Sequence, residues 1–239
     1  MKLEEFLNNI KFKFITKNIK TSENKDRLSS KEEIANTLLP ENNENIDSIK
    51  NLLDIPRMST LANGAIINKI VSELKENELF VNIGVWNGFT FFSGLIGNSD
   101  KKCVGVDNFS EFFPEIAKAN FYQNYNFFKN SLTKSENIEF YELDYEEYFN
   151  KIHKGIIGFY IYDGEHSYKN QLKGLELAEP FFSENCIILI DDTNIPEVKQ
   201  SVLDFIKLSK NKYEIIFDVN TANNCHPTFW NGLIILKKL

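Results

Sequence analysis

From Leu79 onward, short apolar segments alternate with amphipathic segments of helical periodicity. Seven apolar runs have the length of buried strands: Leu79–Val85, Cys103–Val106, Ile138–Leu143, Ile156–Tyr162, Cys186–Ile190, Tyr213–Val219 and Phe229–Leu236. The amphipathic segments between them are Phe89–Ile96, Pro114–Phe128, Glu146–Ile152, Ser167–Phe181 and Glu197–Leu208. Strands that alternate with helices form parallel sheets with helices on both faces. We therefore predict an α/β fold built around one such sheet.

The last two runs are joined differently from the others. Only a loop, Asn220–Thr228, separates them, so the seventh strand should return antiparallel to the sixth. Because the sixth strand should run parallel to the fifth, this loop should also reach the edge of the sheet where ligands bind. Its polar side chains could recognise a substrate, or they could form a solvated turn. They belong to Asn223, Asn224, Cys225 and His226.

Residues 1–56 differ in composition from the rest of the chain. They are polar, with charge and asparagine clusters at residues 21–27 and 41–45, and helix-like pieces interrupt these clusters. The segment Ser30-Lys31-Glu32-Glu33 is typical of a capping box at the start of a helix. The sequence therefore predicts a helical amino-terminal arm over residues 1–56. A further helix over Leu61–Leu74 should lead into the core of a domain formed by residues 57–239.

Charge and cysteine content limit the classes of function. The chain has 239 residues, of which 27 are basic and 34 acidic, and its net charge is −7. Proteins that bind nucleic-acid backbones need clustered Lys and Arg, so we expect no nucleic-acid partner. Three cysteines without Cys-x-x-Cys spacing are typical of reduced core residues. No apolar run approaches the roughly 20 residues that span a bilayer, so we expect a cytoplasmic protein without a membrane partner.

The loop after the first strand contains two glycines. In doubly wound sheets, ligands bind at the carboxyl ends of the strands. Gly84 and Gly88 would let the backbone turn tightly and approach a ligand at a helix amino terminus. The alternative is a strand-to-helix turn that requires positive φ. The spacing differs from Gly-x-Gly-x-x-Gly, which disfavours a dinucleotide and a nucleotide-dependent oxidoreductase.

Single acidic residues follow the second and third strands. Asp107 lies 23 residues after Gly84, where a carboxylate can accept both hydrogen bonds of a ribose diol. A helix cap is the alternative for Asp107. Asp144 could receive an adenine amino group, and an amino-terminal helix cap is the slightly favoured alternative for it.

Three further carboxylates follow the fourth and fifth strands. Asp163 ends the fourth run, and the pair Asp191-Asp192 ends the fifth. Because adjacent strand ends meet at one edge of a sheet, these like charges would repel unless a cation or a shared proton compensated them. Ligand sets made only of oxygen suit Mg²⁺ or Ca²⁺ better than Zn²⁺. The alternative is that one of the paired residues caps the helix that starts near Pro196.

With these motifs the sequence resembles class I S-adenosylmethionine (SAM)-dependent methyltransferases over about residues 57–239. The run Asp163-Gly164-Glu165-His166-Ser167-Tyr168 followed by Asp191-Asp192 is similar to the subfamily of macrocin O-methyltransferase-like, metal-dependent sugar O-methyltransferases. The remaining motifs of the resemblance are Phe80-Val81-Asn82-Ile83-Gly84 with Gly88, Val106-Asp107 and Leu175-Glu176-Leu177-Ala178-Glu179-Pro180. The resemblance implies a Rossmann-like doubly wound sheet of seven strands in the order 3-2-1-4-5-7-6, with strand 7 antiparallel.

The resemblance also implies how SAM would be held. Gly84 and Gly88 would pack against its methionine moiety, and Asp107 would hold its ribose. Asp144 would lie near the adenine. The sequence departs from the family at Asn82, where the first motif usually carries an acid.

For the chemistry, the resemblance implies a bound Mg²⁺ and a base. Asp163, Asp191 and Asp192 would match the metal ligands of the Mg²⁺-dependent relatives. His166 and Glu165 are the candidates for the base that takes the proton of the nucleophile. His166 has the more suitable unperturbed pKa, and Glu165 stands where relatives more often carry Asp. A histidine packed at a helix start is the alternative for His166.

The implied function is that of a SAM-dependent methyltransferase that performs divalent-metal-assisted O-methylation of a hydroxylated small molecule, sugar-containing acceptors included. The alternative is a catalytically inactive Rossmann-like cofactor-binding or regulatory protein, because Asn82 already departs from the family pattern. A further histidine, His153, is expected to lie on the surface without a role.

Overall fold

A computed structural model of the protein describes residues 1–21, 28–40, 44–131 and 135–239, so most of the two polar clusters of the arm lies outside the described residues. The described strands are β1 Lys11–Phe12, β2 Thr37–Leu38, β3 Glu78–Ile83, β4 Lys102–Val106, β5 Ile138–Tyr141, β6 Ile156–Tyr162, β7 Phe182–Asp191, β8 Tyr213–Val219 and β9 Leu233–Lys238. The described α-helices are α1 Leu3–Asn9, α2 Ser30–Asn36, α3 Glu44–Asn51, α4 Leu61–Ser72, α5 Phe89–Leu95, α6 Pro114–Ser131, α7 Tyr145–Glu147, α8 Tyr168–Ala178 and α9 Pro196–Leu208.

The main sheet contains seven strands in the order β5-β4-β3-β6-β7-β9-β8. Counted from β3, this is the predicted order 3-2-1-4-5-7-6. Strand β3 is parallel to both of its neighbours, β4 and β6, and the pairs β4–β5 and β6–β7 are also parallel. Strand β9 is antiparallel to both of its neighbours. The structure therefore confirms the doubly wound α/β fold and its single antiparallel strand.

The last strand begins later than the sequence predicts. The apolar run was expected to enter the sheet at Phe229, but β9 starts at Leu233. His226 and Trp230 exchange two backbone hydrogen bonds, and the Gly232 N–H donates to the Phe229 carbonyl. Trp230 and Gly232 both have positive φ angles, of 53° and 87°. The first residues of the run therefore form a buried turn. These backbone hydrogen bonds are made within this turn and not to a neighbouring strand.

Two apolar clusters cover the two faces of the main sheet. Neighbouring residues of a strand point to opposite faces, and accordingly Phe80 belongs to one cluster and Val81 to the other. The Phe80 ring stacks on that of Phe159 at a centroid distance of 4.9 Å. The first cluster receives side chains from α1, α4, α5 and α6, and the second from α8 and α9. The sheet is thus buried on both sides, as its near-continuous apolar runs predict.

The amino-terminal arm packs into the same core. Phe6 and Leu7 of α1 are fully buried in the first cluster, together with Ile46 and Ile49 of α3. Besides its helices, the arm contains the small antiparallel sheet β1–β2. The arm is therefore held to the domain by buried apolar surface, the main favourable term in folding.

The capping box of α2 is shifted by one residue from its predicted position. Ser29 and Glu32 form the reciprocal bonds, in place of Ser30 and Glu33. Glu33 is instead 4% exposed and pairs with the Arg57 guanidinium at 2.5 Å. It also accepts the backbone N–H of Leu61 at the start of α4. Glu33 therefore serves as a buried anchor between the arm and the domain.

His153 is buried, and its predicted surface position is wrong. It is 7% exposed, and its Nδ1 lies 2.8 Å from the hydroxyl oxygen of Tyr148. The turn of π-helix Tyr148–Ile152 ends directly before it, and the His153 N–H donates to the Tyr148 carbonyl. The imidazole packs against the ring of Phe181 at a centroid distance of 4.4 Å. The wider π turn thus brings a polar ring into the core.

The other general expectations concern cysteine and the membrane. Cys103 and Cys186 are buried, as predicted for core residues, whereas Cys225 is half-buried, and none of the three forms a disulfide. Within the described ranges, the helices are all too short or too polar to cross a bilayer.

Candidate functional site

A cavity of about 380 Å³ opens at the carboxyl edge of the main sheet. Its walls are the loops that follow β3, β4, β5, β6 and β7. Two further segments complete it: residues 56–59 before α4, and the turn that precedes β9 with Cys225, Trp230 and Asn231. The cavity therefore lies where ligands bind in doubly wound sheets.

The two glycines after β3 are required by backbone packing. Gly84 has φ +78°, and a β-carbon there would lie 1.9 Å from the carbonyl oxygen of Asp163. Gly88 has φ +99° at the start of α5, and its β-carbon would meet the Phe92 ring at 2.1 Å. Gly84 lines the cavity, whereas Gly88 is not among the described residues that line it. The turn alternative thus accounts for both glycines, and their contacts with SAM remain predictions.

Asp107 joins the loops after β3 and β4. Its Oδ2 accepts the Trp86 N–H at 2.8 Å, and its Oδ1 accepts the Phe109 N–H at 2.7 Å. Burial raises the pKa of this carboxyl, and the backbone hydrogen bonds counteract part of that rise. The carboxylate also lines the cavity. Asp107 therefore shapes the floor of the cavity and still presents acceptor lone pairs to a ligand.

Asp144 caps α7, as its alternative interpretation predicts. Its side chain accepts the Glu146 N–H at 2.8 Å. It also lines the cavity beside Tyr145. A contact with adenine is compatible with this position and remains a prediction.

Asp163, His166 and Asp192 form a compact cluster at one end of the cavity. One ligand atom from each lies within 4.8 Å of the others. The His166 Nε2 is 2.8 Å from the Asp192 Oδ2 and 3.9 Å from the Asp163 Oδ1. Asp191 is buried outside this group, and its Oδ1 accepts the Asp192 N–H at 2.9 Å. Asp192 itself has a positive φ of 58°, so its backbone is held in a region that L-residues rarely occupy.

Burial and mutual proximity shift the pKa values of the acidic residues and of His166 in the cluster. Burial of Asp163 raises its pKa to about 7, with His166 acting in the opposite direction and Asp192 adding to the rise. Burial also raises the pKa of Asp191, as do the charges of Asp192 and Asp163. For His166, burial lowers the pKa, but the hydrogen bond and charge of Asp192, followed by the charges of Asp163 and Glu111, raise it to about 9. Protonated His166 therefore places a positive charge beside the carboxylates of Asp163 and Asp192.

The donor set of the cluster fits a divalent cation. Two carboxylates suit hard ions such as Mg²⁺, and an imidazole nitrogen also suits transition metals. The Nδ1 of His166 is buried and has no hydrogen-bond partner among the described residues, so the contact of its Nε2 with Asp192 is the one that orients the ring there. The geometry brings the carboxylates of Asp163 and Asp192 together and leaves Asp191 outside the group. A metal-binding role remains a prediction for all three residues.

Glu165 and His166 differ in their surroundings. Glu165 is exposed, and its carboxylate accepts the side-chain amide of Asn170. His166 is 27% exposed and directed at Asp192. Ser167, immediately after it, caps α8 through the Asn170 N–H. His166 thus lies at a helix start and contacts the acidic cluster at the same time.

Several residues of the site were not expected from the sequence. Asn231 donates its side-chain amide to the Asp192 Oδ1. Arg57, whose charge is balanced by Glu33, lines the cavity and lies 5.6 Å from the centroid of the Phe89 ring. These residues stand far from the strand-end motifs in sequence, and no local pattern marks them.

The loop before β9 contacts the arm more than the cavity. Asn223 accepts the Thr21 N–H at 2.7 Å, and the His226 Nε2 lies 2.8 Å from the Ile19 carbonyl oxygen. Cys225 is the member of the predicted polar group that lines the cavity. The loop therefore reaches the ligand edge as expected, but its Asn223 and His226 side chains are used to hold the arm.

Comparisons with known proteins agree with this fold. Residues 81–193 match a family model described as a methyltransferase domain. An O-methyltransferase from Bacillus cereus, solved in complex with SAH, is similar with a TM-score of 0.58 and 12% identity, over 84% of this chain and 94% of that chain. A TDP-rhamnose 3′-O-methyltransferase of calicheamicin biosynthesis is similar with a TM-score of 0.55 and 15% identity, over 83% of this chain and 87% of that chain. No curated protein sequence matches the chain. The chain thus carries a region similar to methyltransferase domains, in a fold shared with O-methyltransferases.

Proposed function

We propose that this protein is a SAM-dependent methyltransferase that transfers the methyl group to a hydroxyl oxygen of a small molecule, with the help of a divalent cation. The observation that supports this most is that one cavity contains both the Asp107 loop and the Asp163–His166–Asp192 cluster. Cofactor and nucleophile can therefore meet in it. A sugar-bearing acceptor, as the resemblance to sugar O-methyltransferases implies, belongs to the same proposal.

The part of the cavity next to β3, β4 and β5 would hold SAM. Asp107 would accept the ribose hydroxyls through lone pairs not used by its bonds to the Trp86 and Phe109 N–H groups. Asp144, which lines the cavity, would lie near the adenine. Gly84 would let the backbone approach the methionine moiety, and Gly88 shapes the start of α5.

The reaction is an in-line displacement at the methyl carbon. The acceptor oxygen forms a bond to this carbon while the carbon–sulfur bond breaks, and the bonding electron pair moves to sulfur. The hydroxyl proton passes to a base, so the products are a methyl ether, SAH and a protonated base. Such a transfer needs alignment of two reactants and removal of one proton.

Asp163 and Asp192 would hold the cation, and Asp191 would support them from the buried side through its contact with the Asp192 N–H. A bound divalent ion lowers the pKa of a coordinated hydroxyl. His166 is the preferred base, because it contacts the cluster, whereas Glu165 is exposed and hydrogen-bonded to Asn170. The pKa of about 9 means that His166 retains its proton at neutral pH while Asp192 is its partner. With a divalent cation bound to Asp192, His166 would lose this partner and would be the group that accepts the hydroxyl proton.

Isothermal titration with SAM and SAH tests the cofactor half of the proposal. Asp107→Asn should weaken SAH binding about 10- to 100-fold, because a hydrogen bond to a charged group contributes about 1.5–3 kcal/mol. Asp100→Asn is the matched control, since its side chain is 60% exposed and pairs with Lys101. Absence of heat for both ligands at millimolar concentration would refute the methyltransferase assignment.

Assays of methyl transfer to a dihydroxybenzene and to a neutral glycoside test the proposed metal-assisted O-methylation. Turnover should stop in excess chelator, and Asp163→Asn should abolish it with SAH affinity retained. His166→Ala should lower kcat by about 10²- to 10⁴-fold. If His166→Ala keeps full activity while Glu165→Gln loses it, Glu165 is the base. Undiminished turnover in chelator contradicts the metal but leaves the SAM assignment intact.

A further inference from the structure

We propose that Asn231 is a positioning residue that fixes the carboxylate of Asp192 for cation binding. This inference rests on the proposed function, in which Asp192 is a metal ligand. Asn231 lies outside the strand-end motifs, in the turn before β9, and it lines the same cavity.

The side chain of Asn231 is oriented by its partners. Its Oδ1 accepts the Cys225 backbone N–H at 2.6 Å, and its Nδ2 donates to the Asp192 Oδ1. A backbone N–H can only donate and a carboxylate can only accept, so the amide has one orientation that satisfies both contacts. The Asn231 carbonyl also accepts the Asn194 N–H at 2.7 Å. The residue is therefore fixed at both ends.

These contacts determine which oxygen of Asp192 faces the acidic cluster. The Oδ1 is engaged by Asn231, whereas the Oδ2 lies 2.8 Å from the His166 Nε2 within the acidic cluster. Without Asn231, the carboxylate could rotate about its Cβ–Cγ bond. A neutral amide also leaves the negative charge of Asp192 intact, which a lysine at the same place would neutralise. Such outer partners orient metal ligands and commonly alter metal affinity when they are removed.

The turn that carries Asn231 is itself braced by the amino-terminal arm. Hydrogen bonds between described residues join the two segments, among them Ala222 N–H to the Lys17 carbonyl at 2.8 Å, Thr21 N–H to the Asn223 Oδ1 at 2.7 Å, and His226 Nε2 to the Ile19 carbonyl at 2.8 Å. His226 is fully buried and its Nδ1 lies 2.7 Å from the Thr228 hydroxyl. The arm therefore stiffens the support of Asp192 from outside the cavity.

Titration of the full chain with Mn²⁺, followed by the paramagnetic resonance of the free ion, tests this inference. Asn231→Ala should weaken Mn²⁺ binding about 10- to 100-fold. Its affinity for SAH should stay within twofold of wild type, because Asn231 contacts none of the proposed SAM-binding residues. Asn224→Ala is the matched control: Asn224 is an exposed asparagine of the same loop, whose Oδ1 contacts the Asn194 amide at 3.3 Å.

The outcomes separate this inference from the proposed function. Wild-type protein that binds SAH but no Mn²⁺ refutes the metal site. Wild-type protein that binds Mn²⁺, together with Asn231→Ala that binds it equally well, refutes the positioning role alone. If Asn231→Ala fails to fold, the variant Asn231→Gln tests the positioning role instead, because it keeps an amide but moves it by one carbon. This variant should bind SAH normally and Mn²⁺ more weakly, and normal Mn²⁺ affinity would count against Asn231.

Discussion

Substitution of Gly84 by alanine should damage both the fold and the acidic cluster. The residue has φ +78°, and the added β-carbon would lie 1.9 Å from the carbonyl oxygen of Asp163 and 2.5 Å from its carbonyl carbon. These atoms belong to the backbone at the end of β6, which cannot swing aside as a side chain can. The end of β6 and the loop after β3 must therefore separate by roughly 1.5 Å to reach ordinary contact.

The expected loss of stability follows from two contributions. A non-glycine residue in the left-handed region costs about 1–2 kcal/mol. Displacement of packed neighbours by an added carbon costs about 1–3 kcal/mol. Together these predict that Gly84→Ala loses about 2–5 kcal/mol of unfolding free energy. Because Asp163 must shift, Mn²⁺ affinity should fall as well.

Gly155→Ala is the control that separates these contributions. Gly155 also has a positive φ, of +108°, but its β-carbon would meet the Cδ1 of Leu79 at 3.0 Å, which a flexible side chain can accommodate. Urea denaturation of both variants measures the difference, and titration with Mn²⁺ measures the effect on the cluster. If Gly84→Ala is as stable as Gly155→Ala and binds Mn²⁺ like wild type, the proposed collision with Asp163 does not exist.

Two further predictions concern buried groups outside the cavity. Glu33→Ala leaves the charge of Arg57 without its buried partner and should cost about 3–5 kcal/mol in urea denaturation, whereas a loss below about 1 kcal/mol would mean that the pair is dispensable. Burial lowers the pKa of His153, so the unfolded chain binds a proton there more readily than the folded one. Stability should therefore decrease as the pH falls below about 6.5, and thermal melting between pH 5 and 8 should show a smaller decrease for His153→Gln. An equal decrease in both proteins would assign the effect to other groups.

Much of the fold could be predicted from local patterns in the sequence. Apolar runs such as Ile156–Tyr162 and the amphipathic stretches between them follow from the periodicities of strands and helices, which are properties of neighbouring residues. The absence of a helix between the last two runs predicts the antiparallel β9, because only a crossover can return a strand in parallel. The acidic residues at the strand ends could also be located in the sequence, because they directly follow these apolar runs.

The details of the candidate site depended on contacts between distant segments. Sequence reasoning placed Asp191 and Asp192 together as candidate ligands, since they are adjacent along the chain. The structure groups Asp192 with Asp163 and His166, while Asp191 is buried outside the group and accepts the Asp192 N–H. Successive residues at a strand end point in different directions, and the positive φ of Asp192 turns its side chain further.

The sequence by itself determined the layered sheet, its antiparallel last strand and the edge at which polar residues gather, because these follow from short-range periodicity and from general rules of chain connection. The order of the strands was predicted from the resemblance to SAM-dependent methyltransferases. Tertiary structure alone decided that Asn231 meets Asp192 and that Glu33 meets Arg57. It also decided that His153 enters the core. Each of these outcomes depends on how a loop or helix end packs against its surroundings, and the cost of burying a polar group depends on partners that no local pattern identifies.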